Sequence, residues 1–509
     1  MNARDFSHFF QNTKIMSSQI ILNLHLIDFY FSPLYNKANM AKTSEHKSRK
    51  KLWQLNPYVL VILSFIVVIL IGSVLLIMPF SQADGKWGVY IDALFSAVSA
   101  TCVTGLCTYF EGIGNQLTFI GQVIMAIMIQ IGGLGFVTVL TFFITLFKSK
   151  LQFRNRYLLS QMVGSTNFAD VVRFVRRLIL ISIIFETAGT LIGLPVFFQM
   201  YPGDPLKAIW GSAFTSISAF NNAGFDLFGA TSLVRTGNDL LTNIPDWAYY
   251  YLNSYLMVLI VSGGISFLVI IDLFSFKSPR QWRAFTKIVL NTTAGLLILG
   301  FLAFLSSDVL FKSDGMSVFD AAFQSVTLRT AGFATYNQDN LSIFGKVIGC
   351  IFMFIGGSPL STAGGIKTTT AFMIGLAMFS YFRGKPVIAF KRKYSSNMIV
   401  KAMSLVFLGI FAALVGILAI SGFESDRLVG IVQTDRPLAI IYETFSAFGT
   451  VGVSVGITPY LSLGSKIVLC FLMFLGRLGP MTFLQIFQAN MDKKQSLHYE
   501  YVEEDFLIG

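Results

Sequence analysis

A short stretch that comes back in four versions constrains this chain more than any other feature. Residues Ser96–Leu106 read SAVSATCVTGL, and the same plan returns as FTSISAFNNAGF from Phe214, FQSVTLRTAGF from Phe323 and YETFSAFGTVGV from Tyr442. Each version mixes small, hydroxyl and aromatic residues, is too short to cross a bilayer, and ends at one glycine: Gly105, Gly224, Gly332 or Gly452. Apolar runs flank every one. Helix, half-helix, glycine turn, helix, written in tandem, is the plan of a pore walled by backbone. In such a pore carbonyl oxygens replace the water lost by a monovalent cation, and glycine admits the left-handed backbone the strand requires. The expected fold class is an all-α integral membrane protein. It would have four tandem helix–pore-loop–helix repeats, hence eight spans and four re-entrant half-helices, around a pseudo-fourfold pore.

Composition agrees with a membrane solvent. Only 13% of residues are charged and mean hydropathy is +0.66, against about 25% charged in soluble domains. The net charge of +12 could suggest nucleic acid, but its placement argues otherwise. Most Lys and Arg fall in segments 41–55, 148–177, 275–287, 381–401 and 490–509. That bias puts these segments in the cytoplasm, with both termini inside and all four glycine turns entering from outside the cytoplasmic membrane. His8, His25, His46 and His498 all lie in the tails, and Cys102, Cys107, Cys350 and Cys470 follow no zinc or redox spacing. No catalytic or metal constellation is visible, so an enzyme is not expected. IGGLGF at Ile131 is glycine-rich but lies inside an apolar span, which excludes a dinucleotide fingerprint.

Taken in order, residues 1–51 form a cytoplasmic tail, and translation is expected to start at or near Met40, because Ile20–Phe31 is short and interrupted by His25 and Asp28. The alternative for 1–39 is an interfacial helix. Repeat 1 covers 52–147, with spans at Pro57–Met78 and Phe119–Phe147 around a half-helix at Ile91–Thr101. Repeat 2 covers 148–274, with Leu178–Phe198, Leu206–Phe220 and Trp247–Phe274. Repeat 3 covers 275–382, with Ile288–Leu310, Val318–Leu328 and a long segment Phe344–Phe382. Repeat 4 covers 383–489, with Ala402–Ile420, Pro437–Phe448 and Lys466–Ala489, before a cytoplasmic tail at 490–509. A second echo runs in register: each inner span carries a glycine break, IGGLGF, SGGISF, IGGSP or LGRLGP. Such breaks allow close packing or unwinding where the backbone meets protein or a watery cavity.

Aligned on the glycines, the candidate ion ligands are Val103, Thr104 and Gly105; Asn222, Ala223 and Gly224; Thr330, Ala331 and Gly332; and Thr450, Val451 and Gly452. Their side chains share no ligand, so the shared backbone carbonyls are the natural donors. The bland alternative is small residues that only pack half-helices together. Between Phe354 and Lys367 the third inner span reads FIGGSPLSTAGGIK. Gly356, Gly357, Pro359, Gly364 and Gly365 within it, together with Ser358, cannot hold a helix, since proline costs about 3 kcal/mol and glycine about 1 in a helix interior. Arg477 replaces a glycine of the fourth break in an otherwise uncharged span. It should face a cavity or a partner, either as a cationic constriction beside the loop or as a structural pair. Lys367 adds to the same positive ring or snorkels. Arg329 and Glu443 could pair behind the glycine segments and brace them, or reach water; Glu186 needs a partner the sequence does not name. Cys102, just before Gly105, is expected to line the outer pore.

FNNAGFDLF, VTLRTAGF, FGTVGVS and GGSPLSTAGGIKT resemble the Ktr/Trk/HKT superfamily of potassium transporters from about Leu52 to Ala489. The likeness is greatest to the KtrB branch, the membrane subunits of bacterial Ktr uptake systems. The resemblance implies potassium as cargo, which Gly105 favours over the serine of sodium-transporting plant members. It also implies an intramembrane loop at 356–367 gating the pore, a homodimer, and regulation by a separate cytoplasmic nucleotide-binding ring (KtrA-like) docked on segments such as 148–177 and 381–401. Sodium coupling occurs in relatives and is left open by these residues. Membrane lipid is the other expected partner and nucleic acid is not one. The competing reading is a secondary symporter of another class with broken helices. An inverted repeat would set its halves in opposite senses, whereas all four repeats here return to the basic side.

Overall fold

The computed structural model describes residues 57–135, 168–236, 238–275, 278–310, 316–424 and 434–480. The expected start at Met40, the basic segments 41–55 and 490–509, most of 148–177 and the distal ends of the spans drawn to Phe147 and Ala489 lie outside them. By internal contacts the chain divides after Leu60, and the packed architecture is that of the unit from Val61 onward.

Outer helices come first in each pattern. α1 is Pro57–Ile77, and α2, Tyr90–Cys102, is the short helix before Gly105. α3, Phe119–Leu134, begins under Thr118, whose hydroxyl accepts from Gly121 N at 3.3 Å. α4, Phe168–Met200, leads to α5, Pro205–Phe220, where Asp204 caps and Pro205 opens the first turn. α6, Asp246–Gly264, and α7, Phe267–Leu273, meet at 105°. α8, Ala284–Phe304, continues through a π turn at Leu305–Val309 to α9, Val318–Thr327, capped by Ser317. α10, Ile343–Phe354, and α11, Thr368–Phe382, flank the 355–367 loop. α12, Ser396–Phe423, α13, Arg436–Gly449, and α14, Leu463–Leu478, complete the order. Ser342 and Ser462 cap α10 and α14 as Thr118 caps α3, accepting from Gly345 N at 2.9 Å and Ser465 N at 3.4 Å. β1, Ile388–Ala389, and β2, Arg392–Lys393, pair in register Ile388↔Lys393 around Phe390 and Lys391, both at positive φ.

These elements do not settle the expected count of eight crossing helices. Among the described residues three helices, 173–200, 284–309 and 396–423, are long and apolar enough to cross a bilayer, or four with the bent α6–α7 pair. At their glycine breaks α3 ends before Gly135 (φ 80°, ψ 131°) and α14 before Gly479 (φ 80°, ψ 139°).

Polarity is turned inside out relative to a water-soluble core. Phe407 and Leu418 on α12 and Leu191 on α4 are about seven-tenths exposed, at 73, 72 and 67%. Ser96, Ser99, Thr104, Ser216, Ser218, Thr444 and Ser446 are fully buried. An apolar rind around a hydroxyl-rich interior suits lipid as the outer solvent.

The breaks have a packing cause. A Cβ on Gly132, Gly263 or Gly476 would overlap the carbonyl oxygen of Thr101, Phe220 or Phe448, the residues four before each segment glycine. Only glycine lets the inner helix approach that closely. In the third version the corresponding Gly356 lies instead against the carbonyl of Gly364, within the loop.

Candidate functional site

The four glycine segments meet. Each leaves its short helix through a left-handed residue two positions before the glycine: Val103 (φ 57°), Asn222 (58°), Thr330 (71°) and Thr450 (50°). The glycines follow at φ 101°, 70°, 88° and 97°, and the residue between has negative φ in every case. Alternating signs turn successive carbonyls toward one side of a strand. A Cβ on Gly105 would lie 2.7 Å from the carbonyl oxygen of Ala223, one on Gly224 2.7 Å from that of Ala331, and one on Gly332 2.7 Å from that of Val451. One on Gly452 would overlap that of Thr104, which closes the cycle. The carbonyls of Thr104, Ala223, Ala331 and Val451 therefore converge on four glycines, and all twelve candidate ligands except the partly exposed Gly105 are buried.

Serine hydroxyls hold three of the strands, a feature that sequence reasoning missed. Ser99 Oγ accepts from Gly105 N at 3.1 Å, Ser218 Oγ from Phe225 N at 2.9 Å, and Ser446 Oγ from Gly452 N at 3.1 Å. Their own carbonyls accept from Thr104, Ala223 and Val451 N at 2.8–2.9 Å. The signal was present as Ser-Ala at one fixed offset before three of the four glycines. The third version has Val326 there; Thr327 replaces it, donating to the Phe333 carbonyl at 2.5 Å.

The loop beneath is tied down by many bonds. Gly356 N donates to the Ile366 carbonyl at 2.9 Å and Ile366 N to that of Phe354 at 3.2 Å. Ser358 N and Thr362 N donate to the carbonyls of Gly264 (3.1 Å) and Gly263 (3.2 Å), so the loop rests on the break between α6 and α7. The Thr362 hydroxyl reaches the Phe220 carbonyl at 3.1 Å, and a Cβ on Gly364 would overlap the Thr450 hydroxyl. Loop and glycine segments are thus in direct contact. Pro359 is half-buried at the turn, beside Leu360 at φ 57°.

Both cations end on loop carbonyls. Arg477 donates to Thr362 O and, across to α3, to Gly132 O at 2.5 Å and Gly133 O at 3.0 Å. Lys367 Nζ donates to Ala363 O at 2.7 Å and Gly364 O at 3.5 Å. Both remain half-buried among buried neighbours.

Two expectations need correction, and one gap is filled. Arg329 and Glu443 do not pair and neither reaches water, being 6 and 1% exposed. Arg329 turns toward the loop, donating to Thr293 O at 3.3 Å and Gly356 O at 3.5 Å, while Glu443 accepts from Ser454 beyond the fourth glycine. They sit on opposite ends of their segments, one before and one beside the residues that follow the turn. Cys102 lines nothing: it is the last residue of α2 and fully buried in the core with Met125, Ile129 and Leu469. Glu186 has partners, the Ser182 hydroxyl and the Asn221 amide. No group of three or more His, Cys, Asp or Glu that could hold a metal ion lies among the described residues.

Compared with known proteins, residues 25–499 match the TrkH family model, described as a cation transport protein. The chain is 34% identical over 464 residues to the potassium/sodium uptake protein NtpJ of Enterococcus hirae, covering 90% of this chain and 98% of that one. It is 34% identical over 453 residues to the Ktr system potassium uptake protein B of Bacillus subtilis, covering 87 and 95%. In fold it is similar to the potassium transporter TrkH from Vibrio parahaemolyticus, with a TM-score of 0.63 at 18% identity and 85% coverage of each chain.

Proposed function

This chain belongs to the TrkH family of cation transport proteins, and from that premise we propose that it takes up potassium through a selectivity filter of backbone carbonyls. The observation that carries the reading is the convergence of the Thr104, Ala223, Ala331 and Val451 carbonyls on Gly105, Gly224, Gly332 and Gly452. Carbonyl dipoles in a ring substitute for the hydration shell of a weakly hydrated ion without a fixed charge that would trap it. With one glycine per strand the filter has fewer fixed sites than one with two. The relatives named above as potassium uptake proteins support potassium as cargo.

The wider architecture proposed is four tandem repeats with eight spans and four half-helices around the filter, both termini cytoplasmic. The loop 356–367 is the gate. Its contact with Thr450 supports a position in the ion's way, and Arg477 and Lys367 would fix it by donating to its carbonyls while their charges repel a cation. Opening requires the loop to leave both the α6–α7 break and Arg477. The "Ktr system" in the names of relatives supports a further subunit; we read that subunit as a cytoplasmic nucleotide-binding ring and, separately, the chain as a homodimer. Sodium enters as a coupling ion only if flux depends on it. Without coupling, each potassium ion moving inward through 100 mV releases about 2.3 kcal/mol, enough for a gradient of roughly 40-fold.

Purified protein in vesicles tests this. An imposed inward-negative potential should drive rubidium uptake that potassium competes with far better than sodium. Uptake that needs a second solute gradient and ignores the potential would favour a coupled symporter instead.

A further inference from the structure

Two of the four glycine segments are anchored to the long helix before them by a polar side chain three residues before the glycine. In the third segment that residue is Arg329, reaching Thr293 on α8. In the second it is Asn221, reaching Glu186 on α4. The equivalent residues of the first and fourth segments are Cys102 and Gly449, and neither makes a side-chain hydrogen bond among the described residues.

The second anchor is a closed ring of bonds. Asn221 Nδ2 donates to Glu186 Oε1 at 3.0 Å and to Gln130 Oε1 at 2.9 Å. Gln130 Nε2 donates to Ser182 Oγ at 3.2 Å, and Ser182 Oγ donates to the same Glu186 Oε1 at 2.6 Å. The amide of Asn221 also lies 2.9 Å from its own helix carbonyl at Ile217. Both arms of the ring therefore terminate on one carboxyl oxygen, the only group in it that accepts without passing a hydrogen on. Glu186 is 8% exposed on α4, a helix long and apolar enough to cross a bilayer, and no ion pair joins it among the described residues. A buried carboxyl is expensive to place in such surroundings, and intramembrane acidic groups mark ion pathways rather than ordinary packing.

The ring ends where the filter strand begins. Asn221 immediately precedes Asn222, whose φ of 58° starts the strand that carries the Ala223 carbonyl. On its other side Asn221 packs on Gly133, where a Cβ would fall 2.7 Å from Asn221 Cγ. Gly133 O is in turn an acceptor for Arg477.

We infer that Glu186 is a positioning residue for ion selection: as the terminal acceptor of this ring it sets the placement of Asn221 and so of the second filter strand. The inference rests on the filter reading above. It does not require Glu186 to touch the ion. What it requires is an acceptor oxygen at that point, which a glutamine also supplies.

The test measures potassium-over-sodium preference in rubidium flux by vesicles containing the full chain, with thermal unfolding in detergent as a check on folding. Glu186→Leu removes the acceptor and should lower the preference roughly five- to tenfold, the size of one lost buried hydrogen bond. Glu186→Gln should restore most of it. Asn221→Ala breaks the same ring without adding apolar bulk and should lower the preference alike, and combined with Glu186→Leu it should add little. Gly224→Ser, run in parallel, separates the two readings. If Gly224→Ser shifts preference and neither Glu186→Leu nor Asn221→Ala does, the positioning role is wrong and the filter stands. If Glu186→Gln is as damaging as Glu186→Leu, charge rather than acceptor geometry matters and the inference is overturned. If Gly224→Ser itself changes nothing, the filter reading fails.

Discussion

Single side chains here act mostly on carbonyl oxygens. Arg477 is the clearest case, since one guanidinium joins the loop at Thr362 to α3 at Gly132 and Gly133. Arg477→Ala should raise flux and weaken any dependence on a cytoplasmic partner, and Arg477→Lys should be intermediate because it keeps the charge and loses the planar fork. Lower flux in correctly inserted Arg477→Ala protein would make the residue structural. Ser446 is a second case: Ser446→Ala leaves the Gly452 N–H buried without its acceptor, a cost of about 1–3 kcal/mol. Potassium preference should fall in that variant, measured by competition in rubidium uptake. Asp226, beyond the second glycine, provides a pH test. Burial raises its carboxyl from 3.8 to about 6, against the bonds it accepts from Ser232 and Phe228 N. The folded state thus holds the proton more tightly than the unfolded state. Its contribution is complete below about pH 4 and is lost as pH rises through about 6. The melting temperature of the native protein should therefore fall relative to Asp226→Asn over that interval, and parallel curves would contradict the assignment. Arg477 was legible in the sequence because a lone charge in an apolar span is conspicuous. Whether Arg329 meets Glu443 was not legible, because sequence gives charge but not the direction a side chain takes from a half-helix.

At the scale of elements, the half-helices were read to within a residue or two, since a cap or proline opens three of them and a glycine turn closes each. The glycine breaks of the inner helices were legible too, but not which backbone carbonyls Gly132, Gly263 and Gly476 approach there. That approach is testable by thermal unfolding. Gly263→Ala forces a methyl into the Phe220 carbonyl and should destabilise by about 1–3 kcal/mol or more. Gly295→Ala in α8, where nothing lies within 4 Å, should be neutral or stabilise by about 0.5–1 kcal/mol through helix propensity. Equal effects at the two sites would deny the packing role of the break. The loop allows a similar contrast in flux: Gly364→Ala pushes against the Thr450 hydroxyl and should displace the loop, raising basal uptake, whereas lower uptake would place the loop outside the ion path.

Across the whole molecule, the parts of the chain that meet are far apart in sequence. The Gly452 strand lies against Thr104, and outside it Lys466 Nζ pairs with Asp92 at 2.8 Å, joining α14 to α2. Trp210 on α5 reaches Gln122 on α3 at 2.8 Å. Tandem repetition made the existence of four matching segments legible, because the motif recurs in order. It did not say which residues would staple one to the next, since those side chains differ at every junction. The central claim is that the four segments form one selective ring of carbonyls, and each must then matter although their side chains differ. The most direct measurement is the potassium-over-sodium preference of rubidium flux in vesicles for Gly105→Ser, Gly224→Ser, Gly332→Ser and Gly452→Ser, each shown to be folded. The ring predicts that every one of the four moves preference toward sodium. Wild-type preference retained in folded Gly105→Ser and Gly332→Ser protein would contradict it.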